Sequence, residues 1–427
     1  MNNLTQNRGR TRGVGIRGRI AGIAMALATV LISAVFAPES AKAQAEVLTQ
    51  TQAYSESVLH SFIGVPDGAD PEAALMMDPH GNLYGTTLEG GTTDDGTVFK
   101  VTPAGQETVL YSFTGGANGD PYAGLVRDAL GNLYGTTYGV NSVDNGTVFK
   151  LGANGQESLL YHFAGDADGA NPYAALVRDS WGNLYGTTLF GGEGAGCFNG
   201  CGTVFEVNTH GTETVLHAFS GTGGDGSLPY SGLVRDAQGD LYGTTETGGA
   251  SGFGTVFKLN KAGVEIVLHS FAGGSDGANP YAGLVQDSLG NLYGVTEFGG
   301  TSGDGTVFEI NTAGKEKVLY SFAGGSDGAN PIYASLVLDT QGDLYGTTAY
   351  GGGDTTACTN GCGTVFKVDT HGRETVLYRF SGSKGDGAHP VAGLVRDAQG
   401  NLYGTTSEGG TAGMGAVFKL KPEKVYP

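Results

Sequence analysis

The pentapeptide Leu-Tyr-Gly-x-Thr is written seven times in this chain, near-verbatim, with its tyrosine at Tyr84, Tyr134, Tyr185, Tyr242, Tyr293, Tyr345 and Tyr403. The spacings run from 50 to 58 residues, and the two longest belong to the units that also carry cysteines. A period of this length announces a repeat architecture, in which each unit buries its apolar face against the next.

Four short apolar segments recur in every unit; in the second they are AGLVRD (123–128), NLYGTT (132–137), GTVFKL (146–151) and ESLLYHF (157–163). They are rich in Val, Leu, Tyr, Phe and Thr and too short for helices, so they are predicted strands. Asp-x-x-Gly followed by Asn or Asp separates the first two, as in Asp128 to Asn132, and a similar glycine separates the last two. Both are hairpin turn signals, so consecutive strands should pair antiparallel. The chain holds 78 glycines in 427 residues without a Gly-X-Y period, which excludes collagen. Small residues such as Gly85-Thr86-Thr87 would instead let adjacent sheets approach closely.

The expected fold is all-β: a seven-bladed β-propeller of four-stranded antiparallel blades. The segment Ser57 to Phe62 precedes the first full unit, and the last unit stops after Val417-Phe418-Lys419 without a fourth strand. Pairing that N-terminal strand with the last blade would close the ring and remove two exposed edges. A linear solenoid has no reason for this offset, although period alone also permits one.

Residues 1–43 read as a signal peptide: Arg8, Arg10, Arg12, Arg17 and Arg19, an apolar run from Ile20 to Ala37, then Ala41-Lys42-Ala43. An uncleaved anchor is the alternative, because the apolar run could just span a bilayer. The expected organisation is a leader over 1–43, a linker over 44–54, the propeller over 55–421 and a short tail over 422–427. Five arginines and Lys42 against Glu39 make the leader +5, so the net charge of −19 becomes −24 without it. So acidic a body repels phosphate backbones, and nucleic acid is not an expected partner. The cysteines form two close pairs, Cys197 with Cys201 and Cys358 with Cys362. In an exported chain these read as disulfides clipping two loops, rather than zinc ligands or a redox site.

Repeats of the form LYGTT…GG…GTVFKV…G.E.VLYSF, here over about residues 55–421, resemble the GloVer tandem-repeat proteins of bacteria. The resemblance implies export and a propeller-like repeat, and implies no biochemical activity. Those proteins often end in surface anchors, whereas this sequence ends in Lys-Pro-Glu-Lys-Val-Tyr-Pro427, which points to a free secreted or periplasmic monomer. The Asp-x-x-Gly-Asn-Leu-Tyr segment is also similar to turns in lactonase-like and lyase-like propellers.

All length variation, both cysteine pairs and the recurring Gly/Asp lead-in loops fall on connections after strands two and four, hence on one face. There Tyr122, Tyr173, Tyr230 and Tyr281 follow the loop proline directly, with Tyr333 one place later. They are candidate ligand-binding residues, an aromatic rim for stacking on sugars; alternatively they plug seams between blades. Asp67, Asp168, Asp225, Asp276, Asp327 and Asp386 precede loop glycines and admit calcium, though turn formation also accounts for them. Arg127, Arg178, Arg235 and Arg396 could line the channel or pair with nearby aspartates. His60, His217 and His269 stand where other units have tyrosine and read as packing substitutes, without metal-ligand spacing. No catalytic residue is assigned, and no unusual polar residue breaks the repeat. Two functions follow: a non-catalytic binding module for extracellular polysaccharide or a surface partner, and alternatively a carbohydrate-active or lactone-opening enzyme. The second requires an acid/base cluster or metal converging at one end of the channel.

Overall fold

The repeated tyrosine is part of its own turn. In the second blade, Asp128 Oδ1 accepts the backbone N–H groups of Leu130 and Asn132, both at 2.9 Å. Its Oδ2 accepts the Asn132 amide at 2.7 Å and the Tyr134 hydroxyl at 3.0 Å. Gly131 completes the turn at φ +90°, a conformation that glycine adopts without strain. The same Asp–Tyr bond recurs in every blade, from Asp78 with Tyr84 to Asp397 with Tyr403. Burial alone would raise the carboxyls of Asp78, Asp128, Asp179, Asp287 and Asp397, but hydrogen bonds within the turn, chiefly from the asparagine side chain and backbone N–H groups, hold them below the usual carboxylate range.

The glycine after that tyrosine is dictated by packing. A Cβ on Gly243 would lie 2.7 Å from Phe257 Cζ and 3.0 Å from Leu233 Cδ2. Its absence lets the third-strand phenylalanine lie across the second strand, fully buried. Equivalent phenylalanines recur in all seven blades, and each sits among residues from the neighbouring blade; Phe149, for example, packs with Leu125, Leu133, Tyr84 and Phe113.

A computed structural model describes residues 53–116, 119–139, 144–194, 196–353, 355–383 and 385–423. The proposed leader lies outside these. The described chain is a seven-bladed β-propeller of four-stranded antiparallel blades, with no helix. Blade two comprises Val126–Arg127, Leu133–Thr137, Thr147–Leu151 and Glu157–His162, in that order from the inside. The last sheet comprises Val395–Arg396, Leu402–Thr406 and Ala416–Pro422, with Tyr54–Ser61 as its outer strand. That outer strand pairs antiparallel from Tyr54 with Pro422 to Ser61 with Ala416. No helix among the described residues is long and apolar enough to cross a membrane.

The first threonine of the motif ties each blade to the next. Thr86 donates to the Ala123 carbonyl at 2.9 Å, Thr187 to Ser231 at 3.0 Å and Thr347 to Ala392 at 2.9 Å. Thr405 of the last blade donates to Ala73 of the first at 3.2 Å. The fifth blade has Val295 instead, which carries no hydroxyl. The second threonine pairs within its blade, as Thr87 with Thr97 at 2.8 Å. One element is shorter than expected: AGLVRD contributes only Val126–Arg127 as strand. The Ala174 carbonyl, at the same place in blade three, accepts the hydroxyl of Thr136 from the neighbouring blade instead of a ladder partner.

Candidate functional site

Each lead-in loop turns toward the channel through a residue with positive φ before a proline: Asp70, Asp120, Asn171, Leu228, Asn279, Asn330 and His389, all between +53° and +58°. Asn and Asp tolerate this left-handed conformation better than most residues. Where it is asparagine, its amide reaches the preceding blade, as Asn171 to the Tyr138 carbonyl at 2.9 Å and Asn279 to Glu246 at 3.2 Å. The next residue but one is thereby aimed at the axis.

This places Tyr122, Tyr173, Tyr230, Tyr281 and Tyr333 together around one cavity of about 110 Å³. Tyr122 stacks on Tyr173 with centroids 4.7 Å apart at 27°. Tyr173 meets Tyr230 at 5.4 Å and Tyr230 meets Tyr281 at 5.0 Å, both edge-on. In blade six the inserted Ile332 displaces Tyr333 into positive φ, +53°. Its ring then reaches Tyr173 at 5.4 Å and Tyr281 at 5.6 Å. Four of these contacts join neighbouring blades, while those of Tyr333 with Tyr173 and with Tyr230 cross the mouth between blades that are not neighbours. All five stay half-buried. Below them the walls are small residues, among them Ala123, Gly124, Ser231, Gly283 and Ser335.

Sequence reasoning missed three kinds of residue here. Tyr138, directly after a Leu-Tyr-Gly-Thr-Thr motif, meets Tyr122 at 5.3 Å and Tyr173 at 6.1 Å. Glu246 and Glu297 occupy the same position in blades four and five, and Tyr281 donates to Glu246 Oε1 at 2.6 Å. Glu72 stands in blade one where the lead-in loops of blades two to five put tyrosine; it lines the cavity and accepts from Tyr173 at 3.4 Å. The repeat is therefore broken by a polar residue after all. The signal was present in Pro71-Glu72 set against Pro121-Tyr122 and Pro172-Tyr173.

These carboxyls titrate high. Burial, with Asp70 close by, pushes Glu72 up to about 7. Burial and the charges of Glu89 and Glu408 push Asp70 up to about 6, and burial with Glu246 nearby pushes Glu297 up to about 7. Tyr122 and Tyr333 are pushed up to about 12, mainly by burial, so the mouth presents neutral phenols. It offers flat aromatic faces, hydroxyl groups and carboxyls able to exchange protons near neutrality.

The other candidates lie elsewhere. The arginines do not line the cavity. Arg127, Arg178, Arg235 and Arg396 each lie over the motif tyrosine of the preceding blade, 5.4–6.0 Å from the ring centre. Arg396 also reaches Asp339 at 3.5 Å. The loop aspartates fix their own loops: Asp168 Oδ2 accepts Ala164 N–H at 2.7 Å, and Asp327 Oδ2 accepts Ala323 N–H at 2.7 Å. Cys197–Cys201 and Cys358–Cys362 are disulfides, each with Cα atoms 5.2 Å apart. His60, His217 and His269 pack edge-on against Phe62, Phe219 and Phe271, as tyrosines do in other blades. In addition each faces a loop aspartate, a juxtaposition that sequence spacing did not reveal.

Seven copies of one antiparallel unit around a tyrosine-filled mouth define a repeat β-propeller. The chain belongs to the Gloeobacter/Verrucomicrobia repeat family, matching it over residues 40–257, 139–359 and 229–426. No curated protein matches it. Among solved structures it is similar to the extracellular domain of a protein described as a one-component system of B. thetaiotaomicron, with 12% identity and a TM-score of 0.54. That likeness covers 86% of this chain but 40% of the other, and shows the fold alone. A Xanthomonas campestris gluconolactonase matches at 14% identity and TM-score 0.41, over 77% of this chain and 90% of that one. A Bacteroides uniformis protein described as a 6-phosphogluconolactonase matches at 17% and 0.49, over 76% and 88%. Neither lactonase likeness bears on activity here.

Proposed function

We propose that the protein is an exported, non-catalytic binding propeller that holds extracellular polysaccharide at its tyrosine-lined mouth. The observation that carries this reading is the convergence of Tyr122, Tyr138, Tyr173, Tyr230, Tyr281 and Tyr333 from blades two to six at one end of the channel. Half-buried phenols present an apolar face for a sugar ring and a hydroxyl for its polar edge. The two disulfides suit an oxidising compartment outside the cytoplasm, as does the leader-like sequence at residues 1–43.

One observation favours the catalytic alternative. Glu72, raised to about 7 and set beside Asp70, has the protonation of a general acid at neutral pH. The two readings separate in one experiment, in which retention on a polysaccharide panel and release of soluble products are recorded together. Binding without catalysis predicts retention by the parent chain and no products from either the parent chain or Glu72→Gln. It also predicts at least tenfold weaker retention for Tyr122→Ala combined with Tyr281→Ala. Products that vanish in Glu72→Gln would replace the binding reading with the enzymatic one.

A further inference from the structure

Far from the mouth, six seams between neighbouring outer strands bring the same three kinds of side chain together. One comes from near the end of an outer strand, the second is the aspartate of the loop that follows, and the third is the glutamate that opens the next blade's outer strand. At three described seams the first residue is tyrosine and its hydroxyl satisfies the aspartate. Tyr161 donates to Asp168 at 2.9 Å, Tyr320 to Asp327 at 2.8 Å and Tyr378 to Asp386 at 3.2 Å.

At three other seams the first residue is a histidine, and at two of these the three groups converge. His60, Asp67 and Glu107 bring one ligating atom each to within 4.8 Å of one another, as do His217, Asp225 and Glu265. At the second of these, His217 Nε2 stands 3.7 Å from Asp225 Oδ1, beyond a hydrogen bond. Neither that nitrogen nor Glu265 Oε1 has a hydrogen-bond partner, although both are buried. At the first, His60 Nε2 is 3.1 Å from Asp67 Oδ2, while Asp67 Oδ1 and Glu107 Oε1 are buried without partners. The His60 and His217 side chains are each 19% exposed. A partnerless glutamate oxygen also occurs at tyrosine seams, such as that of Glu213. What the histidine seams add is a nitrogen donor turned toward two carboxyls.

We propose that these two seams each bind one divalent transition-metal ion of the zinc class. One imidazole and two carboxylates suit such an ion, with water completing a four-coordinate shell. Calcium would require six to eight oxygen donors, more than these side chains supply. Ligand bonds of about 2.0–2.2 Å place neighbouring donors about 3.3 Å apart, so modest side-chain rotation closes the observed groups onto an ion. The ion would tie the loop and outer strands of two adjacent blades, doing at the histidine seams what the tyrosine hydroxyl does at the others. His269, Asp276 and Glu316 repeat the residue types at a third seam, with Nε2 3.5 Å from Asp276 Oδ2, but do not converge as closely.

The test is zinc titration of the untagged, chelator-stripped full chain, with bound metal counted by elemental analysis and heat of binding recorded. His60→Tyr and His217→Tyr install the residue that other seams already carry, so the fold should persist, as circular dichroism would confirm. The bound-zinc count should fall by one in each single variant and by two in the double variant. Zinc should also raise the melting temperature of the parent chain more than that of the double variant. A parent chain that binds no zinc at micromolar concentration overturns the proposal. So does a double variant that binds as much as the parent.

Discussion

The middle strands and the inner ends of the blades obey different rules. Along the second and third strands the repeat tolerates almost nothing: the same Leu, Gly, Phe and Val are buried in blade after blade. At the inner ends the same repeat accepts Glu72, Tyr122, Tyr173, an inserted Ile332 before Tyr333, and Val391 at equivalent places. The strands face a neighbouring blade of fixed shape, so every unit must solve the same packing problem. The inner ends face a shared opening, where residues from different blades meet and may differ freely. Identity is therefore the mark of scaffold here, and the positions where identity fails are the ones that face the shared opening.

The sharpest way to break that distinction is to add one carbon to a strand. Gly243→Ala puts a Cβ 2.7 Å from Phe257 Cζ, inside a buried cluster that also holds Leu233. The expected loss is about 3 kcal/mol, since overpacking a close-packed interior forces side chains off their rotamers. Denaturant unfolding would register it as a lower midpoint at unchanged slope. Tyr122→Ala, at the half-buried mouth, should cost about 1 kcal/mol or less by the same measurement. If the two costs came out alike, the division into scaffold and mouth would fail.

A smaller effect separates the hairpin turns from the carboxyls at the mouth and outer seams. Folding lowers the turn aspartates, such as Asp128 and Asp287, so their stabilisation is present above their unfolded pKa and lost as pH falls through the folded one. Folding raises Glu72, Glu213, Glu297 and Glu316 to about 7 and Glu374 to about 8, chiefly through burial. An acid raised on folding contributes stability that is complete below its unfolded value of 4.5 and is lost as pH rises through the folded value. Melting temperature should therefore peak in mildly acidic solution and fall steadily from about pH 5 to pH 8. Glu374→Gln should flatten that fall by one proton's worth of slope. A melting temperature that rises across this interval would contradict the burial of these groups.

Much of the scaffold was legible because its signals are local and repeated. Asp128 to Tyr134 encodes a turn within seven residues, and seven copies turn a weak pattern into a strong one. The rim tyrosines were legible as positions, since each follows a loop proline, but their mutual stacking was not. Contact between Tyr173 and Tyr333 joins blades three and six, which no spacing expresses. Glu72 was hidden for a different reason: a repeat read by its consensus discards the unit that departs from it. The histidine seams were least visible. His60, Asp67 and Glu107 come from three separate segments, and only packing of one blade on the next brings them together.

The smallest prediction asks whether the seventh blade, completed by a strand from the other end of the described chain, is equivalent to the rest. Six blades pair the second motif threonine with a third-strand threonine at 2.7–2.9 Å. In the seventh that partner is Ala416, and the Thr406 hydroxyl is buried without a hydrogen bond. Ala416 sits opposite Ser61 of the outer strand, just as Thr97 sits opposite Ser112 in the first blade. If the seventh blade has the geometry of the others, Ala416→Thr should supply the missing partner and stabilise the protein by about 1 kcal/mol. Unfolding midpoints of the two proteins, compared at one pH, decide the matter. A loss of stability would mean that the added hydroxyl and methyl do not fit, and that the composite blade packs differently from the six built from continuous chain.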